Sequence, residues 1–68
     1  MNKQDNMEKR IYWVYTNDGR KVGEYPVGIL DSQTEDEANA WAEKCFKIFC
    51  QNTGIDKADH NICLGQII

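Results

Sequence analysis

A chain of 68 residues can form one small domain, which excludes multidomain enzymes, solenoids and doubly wound sheets. Apolar residues make up 41% of the chain and the formal net charge is -3, a composition typical of a folded acidic domain. This acidity argues against binding by bulk attraction to phosphate or anionic lipid. No apolar run approaches the ~20 residues that span a bilayer, so we expect no membrane partner.

The N-terminal residues and the cysteines bear on domain limits and compartment. Residues 1–9 mix both charges with amides and show no hydrophobic period, so we predict a flexible tail followed by a single domain over residues 10–68. The first ten residues lack the apolar segment of a signal peptide. Cys45, Cys50 and Cys63 are an odd set that suits free thiols in a reducing compartment. We therefore expect a cytoplasmic protein.

The N-terminal half of the predicted domain has the pattern of a β-hairpin. Residues 11–16 are almost all β-branched or aromatic, which predicts a strand. The Asn-Asp-Gly-Arg stretch at 17–20 favours a chain reversal, and residues 21–25 then form the returning strand. Pro26 cannot donate to a strand ladder, so we expect residues 27–30 to be a bent extension of that strand or an edge segment.

Two hairpin registers are compatible with this turn. A two-residue loop places Tyr15 opposite Val22, whereas a three-residue loop with Gly19 in a bulge places Val14 there. In both registers the side chains alternate along the first strand. One face then carries Tyr12 and Val14, and the other carries Ile11, Trp13 and Tyr15. A single helix can cover only one of these faces.

One helix is predicted to begin after Thr34 and to end before Gly54. Thr34-Glu35-Asp36-Glu37 matches the capping-box pattern, and its three acids suit the positive end of the helix dipole. Gly54 suits the left-handed conformation that ends many helices. Apolar residues recur at spacings of three and four and form one stripe, with Phe46 at its margin. The members of the stripe are Ala38, Trp41, Ala42, Cys45, Ile48 and Phe49.

The chain closes with a third predicted strand over residues 61–68. One face of this strand carries Ile62, Leu64 and Ile68, and the other carries Cys63, Gly65 and Ile67. The order β-β-α-β predicts an α+β fold, in which a three-stranded, mainly antiparallel sheet has one amphipathic helix packed on one face. The uncovered face, with its large aromatic side chains, then becomes the surface most suited to a partner or to a second copy of the chain.

Two sets of side chains are predicted to contact a partner. The first set is aromatic, because exposed Tyr and Trp are enriched where proteins or unstacked bases bind. Its members are Tyr12, Trp13, Tyr15 and Tyr25. The alternative is that about half of them line the core, because strand alternation leaves them on both faces. The second set is an acidic contact patch near the helix start, which can meet a basic surface of a partner or act only as a solvated helix cap. Its members are Asp31, Glu35, Asp36 and Glu37.

The sequence predicts no catalytic site, no metal and no cofactor. Cys45 and Cys50 lie about 140° apart around a helix, which is a poor arrangement for zinc ligands shared with His60 and Cys63. His60 and Cys63 are three residues apart in a strand and face opposite sides, which argues against a thiol–imidazole catalytic pair. The glycines fit no nucleotide-binding spacing. We therefore predict a protein that is not an enzyme.

Two stretches carry a resemblance to a known family. Residues 13–21 are an aromatic strand with an Asp-Gly-Arg-Lys turn, and residues 32–41 contain a Thr-Glu-Asp-Glu-Ala helix start. Together they resemble the arm-type DNA-binding domain of phage and transposon tyrosine-recombinase integrases, whose sheet packs on one helix and lies in the major groove. The resemblance implies that basic side chains of the protein contact DNA phosphates and that an aromatic side chain enters the major groove. These residues are Arg20 and Lys21, and Trp13 or Tyr15.

These observations favour a small non-catalytic intracellular binding module that engages another protein. Its size, acidity and lack of catalytic motifs suit an inhibitory or accessory protein of a phage or mobile element. The alternative is a nucleic-acid-binding sheet module of the integrase arm type. Either is compatible with a homodimer that forms through an edge strand or through the aromatic face.

Overall fold

A computed structural model describes residues 6–68 of the chain. The elements are β1 (Met7–Thr16), β2 (Lys21–Leu30), α1 (Glu35–Thr53), a 3-10 turn (Lys57–Asp59) and β3 (His60–Ile67). The strands form one sheet in the order β2-β1-β3, and both strand pairs are antiparallel. Buried side chains of β1, β2 and α1 form the core between the sheet and the helix. The predicted α+β fold of β-β-α-β order is confirmed.

The first hairpin is longer at its open end than the sequence indicates. Residues 7–9 belong to β1, so the predicted tail over residues 1–9 is wrong in its last part; residues 1–5 lie outside the described part of the chain. Met7 pairs with Leu30, and Lys9 pairs with Gly28. Strand pairing across the hairpin therefore recruits polar residues that have no strand pattern of their own.

The turn of the hairpin is the three-residue loop. The Thr16 N–H donates to the Arg20 carbonyl at 2.8 Å, and the Gly19 N–H donates back to the Thr16 carbonyl at 3.0 Å. Gly19 has a φ of 91°, which a residue without a Cβ adopts without steric cost. This geometry matches the second of the two expected loops, in which Gly19 occupies the left-handed position.

The cross-strand partners nevertheless differ from both expected registers. Tyr15 pairs with Lys21 and Val14 pairs with Gly23, because the register shifts between Val14 and Tyr15. Val22 is therefore an extra residue on β2 and lies opposite neither expected partner. Its side chain is 48% exposed. The bulge moves Gly23 onto the covered face of the sheet, where the small residue leaves space for the helix.

Local signals in the sequence fix both ends of α1. The Thr34 hydroxyl accepts from the Glu37 N–H at 3.1 Å, while the Glu37 carboxylate accepts from the Thr34 N–H at 2.9 Å. At the other end Gly54 has a φ of 76°, and its N–H donates to the Cys50 carbonyl. The predicted capping box and the predicted stop are therefore confirmed.

Loss of this cap is expected to weaken the domain measurably. In Thr34→Ala the free energy of unfolding should fall by about 1 kcal/mol, because the Glu37 N–H loses its acceptor at the helix start. Thr53→Ala is the matched control. Its hydroxyl donates to the Phe49 carbonyl near the exposed helix end, so we expect a loss within about 0.5 kcal/mol. Urea unfolding measures both values, and equal losses would contradict the assigned cap.

The buried side of α1 is rotated relative to the predicted stripe. Four residues at intervals of four face the sheet: Ala38, Ala42, Phe46 and Cys50. Trp41 is 42% exposed and Ile48 is 48% exposed, so these two members of the predicted stripe do not lie in the core. The rotation follows from ring packing, because the Phe46 ring stacks on Tyr25 with 6.5 Å between centroids. Phe46 is thus central, although the periodicity places it at the margin.

A bulge in β3 changes which side chains share a face. Leu64 pairs with Tyr12, whereas Ile67 pairs with Arg10, and the register shifts between these pairs. Gly65 is the extra residue, so Ile67 lies on the same face as Leu64. The predicted placement of Ile67 with Cys63 is therefore wrong. A strict two-residue alternation does not continue through a bulge.

Candidate functional site

The sheet has one face covered by α1 and one face on which no element of residues 6–68 packs. We call this second surface the outer face. The strand register places these apolar side chains on it: Ile11, Trp13 and Tyr15 from β1, Pro26 from β2 and Cys63 from β3. Charged and polar side chains lie among and around them: Lys9, Lys21, Glu24, Asn61 and Gln66. The three β1 side chains are each partly exposed. A row of large side chains on the central strand therefore forms the middle of this surface.

Trp13 is held in place by its neighbours on the adjacent strands. A Cβ added at Gly65 of β3 would overlap the Trp13 indole, so the missing side chain is what allows the ring to lie there. The Lys21 Nζ lies 4.5 Å from the ring centroid, which is cation–π distance. Lys21 also pairs with Glu24 at 3.0 Å. The indole is thus positioned before any partner arrives.

The structure divides the four predicted aromatic binding residues into two pairs. Trp13 and Tyr15 lie on the outer face, where a partner can reach them. Tyr12 and Tyr25 are each only 6% exposed and stack on one another under α1 at 5.9 Å between centroids. The prediction that Tyr12 and Tyr25 contact a partner is therefore wrong. Sequence alternation separates Tyr12 from its neighbours, but it does not say which side the helix covers.

Tyr25 has a structural role in the core. Its hydroxyl donates to the Ala42 carbonyl at 3.1 Å, so the buried O–H has an acceptor. Burial raises the pKa of Tyr25 well above its usual range. The folded protein therefore favours the neutral phenol, because a buried phenolate oxygen would lose its hydration without gaining a positive charge nearby.

The basic candidates are paired with acids. Arg20 lies at the hairpin turn, 3.7 Å from Asp18, and Lys21 pairs with Glu24 on the outer face. Both basic side chains are exposed, so each can leave the carboxylate with which it is paired and bind another anion. Exposed pairs of this kind contribute little to stability. The two residues that the family resemblance assigns to phosphate therefore remain accessible, but neither lies in an uninterrupted basic surface.

The four predicted acidic residues are exposed but do not share the outer face. Glu35 pairs with Arg10 at 3.2 Å, and Arg10 projects to the side of the sheet that α1 covers. Hydrogen bonds to Glu8 and Glu35 raise the pKa of the Arg10 guanidinium. Glu37 belongs to the helix cap. The aromatic set and the acidic patch are therefore two separate surfaces.

Asp31 and Glu35 line a polar groove of about 190 Å³ beside Arg10. Asp36 lies exposed in the first turn of α1. Acids in this turn stabilise the helix through its dipole. The acidic patch thus has a structural explanation for every member except Asp31.

The three cysteines lie in different environments. Cys50 is buried, Cys45 is partly buried and Cys63 is exposed. Burial raises the pKa of the Cys45 and Cys50 thiols, because a thiolate is disfavoured away from water. Within residues 6–68 no three cysteine, histidine or acidic side chains form a group that could hold a metal ion. The His60 Nδ1 instead lies 2.7 Å from the Asp56 carbonyl.

Thiol labelling should separate these environments. At mildly alkaline pH we expect Cys63 to react first with a maleimide, since it is the exposed thiol. Cys50 should react at least about tenfold more slowly, at a rate limited by opening of the fold, and the partly buried Cys45 should react at an intermediate rate. Intact-mass analysis over time measures this order, with Cys63→Ser as the control. Labelling of Cys50 as fast as that of Cys63 in the native protein would contradict the described helix packing.

A further apolar groove, of about 250 Å³, lies between α1 and the β2 edge. Its lining residues are Tyr25, Pro26, Cys45, Ile48, Phe49 and Asn52. Trp41 lies one turn away on α1, with the Lys44 Nζ 5.5 Å from its ring. Cys45, Ile48 and Phe49 of the predicted apolar stripe line this groove, because the stripe is wider than the part of α1 that the sheet covers. The width of the stripe was thus the sequence signal for a second exposed apolar surface.

No protein-family model, no curated protein and no solved structure matches this chain. Within residues 6–68 no helix combines the length and the apolar character that crossing a membrane requires. The functional interpretation therefore rests on the geometry of the surfaces described above. Of these surfaces, the outer face carries large aromatic side chains on β1, the central strand, which is hydrogen-bonded on both sides.

Proposed function

We propose that this chain is a non-catalytic protein-binding module that docks a partner protein on the outer face of its sheet. The observation that carries the proposal is the one-sided packing of the sheet. The helix covers one face, while Ile11, Trp13 and Tyr15 lie side by side on the other. The three side chains are partly exposed, and a row of apolar and aromatic side chains bordered by polar ones suits a protein interaction site.

Trp13 and Tyr15 are the proposed anchors of this contact. Trp and Tyr dominate the energetics of protein interfaces when a partner excludes water around them. Trp13 is already ordered against Gly65, so binding immobilises little additional side-chain freedom. Lys21 and Glu24 form a polar border beside it. We expect alanine at either aromatic position to weaken binding by about 2 kcal/mol or more.

The small size and acidity of the chain support a role as an intracellular inhibitory or accessory protein, such as those of phages and mobile elements. A protein of this kind acts by occupying a surface of its partner and needs no catalytic group. The exposed acidic residues Asp31 and Asp36 add long-range attraction to a basic partner. They are expected to affect the association rate more than the final affinity.

Nucleic-acid binding by the same face is the second candidate. Lys9 and Lys21 lie on the side of the sheet that carries Trp13 and Tyr15, which is the arrangement that the integrase arm-type resemblance implies. Stacking of unpaired bases on aromatic side chains would use the same residues. Glu24 beside Lys21 works against this use, because a carboxylate repels phosphate. Protein binding is therefore the preferred function.

Affinity capture with variant chains tests the proposal. The immobilised chain is exposed to an extract of the cells that produce it, and retained proteins are quantified by mass spectrometry. We expect a specific protein whose recovery falls at least about tenfold in Trp13→Ala and in Tyr15→Ala. Trp41→Ala, which changes the other tryptophan, should leave recovery unchanged. Equal recovery by all four chains would contradict docking on the outer face.

A second arm distinguishes nucleic acid from protein. Short duplex and single-stranded DNA are titrated against the chain at low and moderate salt. Binding through phosphate should fall steeply as salt rises and should be lost in Arg20→Ala/Lys21→Ala. Binding of the captured protein should change much less with salt. Strong, salt-sensitive DNA binding would overturn the preferred function in favour of the second candidate.

A further inference from the structure

The two edges of the sheet differ in their capacity to pair with another strand. The β2 edge carries Pro26, which has no N–H, and the bulge at Val22. Lys21 and Glu24 add charge to the same strand. Proline, bulges and charges are the features with which proteins prevent pairing at a sheet edge. The β2 edge is therefore protected.

The β3 edge has none of the proline or charge protection. From residue 60 to residue 68 the chain contains no acid, no lysine, no arginine and no proline. Leu64 is 43% exposed and Ile67 is 55% exposed. The Gly65 bulge lies towards the end of the strand and leaves residues 60–64 in regular pairing with β1. A regular segment without acid, lysine or arginine, which contains the apolar residues Ile62 and Leu64, is thus left at this edge.

Hydrogen-bond directions along β1 show which groups of β3 face outwards. The Thr16 N–H donates to the Arg20 carbonyl on the β2 side, and the Lys9 carbonyl accepts from the Ile68 N–H on the β3 side. Successive residues of an antiparallel strand bond to opposite neighbours. The even-numbered residues of β1 therefore bond towards β2, and its odd-numbered residues bond towards β3.

The same alternation fixes the free groups at the edge. Asn61 and Cys63 pair with odd-numbered residues of β1, so their backbone groups point into the sheet. Ile62 lies between Asn61 and Cys63, and Leu64 follows Cys63. The backbone N–H and C=O groups of Ile62 and Leu64 therefore point away from β1. In a symmetric antiparallel pair centred on Cys63, Ile62 of each strand can form backbone hydrogen bonds with Leu64 of the other. The edge can therefore pair with a second copy of itself.

We propose that β3 pairs with β3 of a second copy of this chain, antiparallel and with the two-fold axis at Cys63. In this register Ile62 of one copy exchanges backbone hydrogen bonds with Leu64 of the other. Both pairs of apolar side chains then lie next to one another on the helix side of the sheet. Cys63 of each copy occupies the non-hydrogen-bonded position, where facing Cα atoms are about 4.5 Å apart.

The absence of charge at this edge indicates a second copy as the partner. The chain carries a net charge of -3, so self-association on most surfaces brings like charges together. The strand pair itself avoids this repulsion, because neither copy contributes an ionised side chain to it. Glu35 and Glu43 line the adjoining groove of about 330 Å³ together with Ile62 and Leu64, and each of these acids is paired with a base of its own copy, Arg10 or Lys57. The axis is perpendicular to the six-stranded sheet, so both helices lie on one side and both Trp13 residues lie on the other. The dimer would thus double the outer face without covering it.

Sedimentation equilibrium on the reduced protein tests the dimer. The expected mass is twice the chain mass of 7.9 kDa, with dissociation on dilution. Leu64→Lys should give a monomer with unchanged circular dichroism, because in both symmetric pairs a charged lysine would replace the apolar partner of Ile62, and charge at a sheet edge prevents strand pairing. Val22→Lys is the matched control at the β2 edge and should remain dimeric. A monomer at millimolar concentration, or a dimer that Leu64→Lys leaves intact, would overturn the proposal.

Cross-linking of the unmodified chain tests the register and does not depend on the folding of a variant. Treatment with a mild thiol oxidant should convert most of the dimer to a disulfide-linked form through Cys63, since the facing Cα separation is within the disulfide range. Cys63→Ser should abolish the linked form while the non-covalent dimer persists. A dimer in which Cys63 does not cross-link would overturn the register with its axis at Cys63.

Discussion

Phe46→Ala is expected to lower the free energy of unfolding by about 3–5 kcal/mol, the usual cost of truncating a buried phenylalanine. Phe46 is buried in the centre of α1 and stacks on Tyr25. Small domains have little stability beyond this amount. We therefore expect the variant to be largely unfolded at room temperature, and circular dichroism with urea titration measures the loss.

Trp41→Ala is the matched control for this prediction. Both residues are aromatic, both lie in the middle of α1 and the sequence periodicity favours Trp41 as the core residue. In the structure Trp41 is 42% exposed, so its truncation should cost within about 1 kcal/mol. If Trp41→Ala were the more destabilising change, the described rotation of α1 would be incorrect.

Gly65→Ala is expected to have the second largest effect, a loss of about 1–3 kcal/mol typical of an overpacked site. The new Cβ would overlap the Trp13 indole, so the ring must leave its position over β3. The fluorescence of Trp13, measured with Trp41 changed to phenylalanine, should shift to longer wavelength as the ring becomes more hydrated. Thermal unfolding gives the accompanying loss of stability.

Two comparisons show whether the indole is the cause. Gly28→Ala makes the same change in β2, where the new Cβ would lie 2.7 Å from the Met7 sulfur. A flexible methionine can move away, so we expect a smaller loss. Gly65→Ala should also cost less when Trp13 is already alanine, because the overlapping ring is absent. An equal cost in the two backgrounds would contradict the proposed contact.

The parts of the fold that depend on local chemistry were predictable from the sequence. The reversal at Gly19 needs a left-handed residue, and the helix start at Thr34 needs a hydroxyl and an acid three residues later. Each signal lies within four residues of the structure that it specifies. The three strands and the helix therefore follow in the correct order.

The parts that depend on distant contacts were not predictable in this way. The rotation of α1 is decided by the stacking of Phe46 on Tyr25, two residues that are far apart in the chain. The bulges at Val22 and Gly65 depend on which partner each strand meets. A periodic pattern records that one side of an element is apolar, but not how two apolar surfaces fit together.

The candidate site shows the same division. Strand alternation correctly places Trp13 and Tyr15 together, and Tyr12 on the opposite face. Which face the helix covers is a tertiary property, so the binding role predicted for Tyr12 and Tyr25 was wrong. The separation of the acidic patch from the aromatic set was also hidden, because Arg10 draws Glu35 to the covered side of the sheet.

The most direct test of binding on the outer face uses the two tryptophans as reporters. Trp13 lies on the outer face and Trp41 lies on the exposed side of α1, so each surface has its own indole N–H. Their resonances are followed in the ¹⁵N-labelled chain as the protein recovered by affinity capture is added. We predict that the Trp13 signal shifts while the Trp41 signal responds only to the larger mass. A selective shift of Trp41, with Trp13 unchanged, would contradict outer-face docking and place the partner on the groove beside β2.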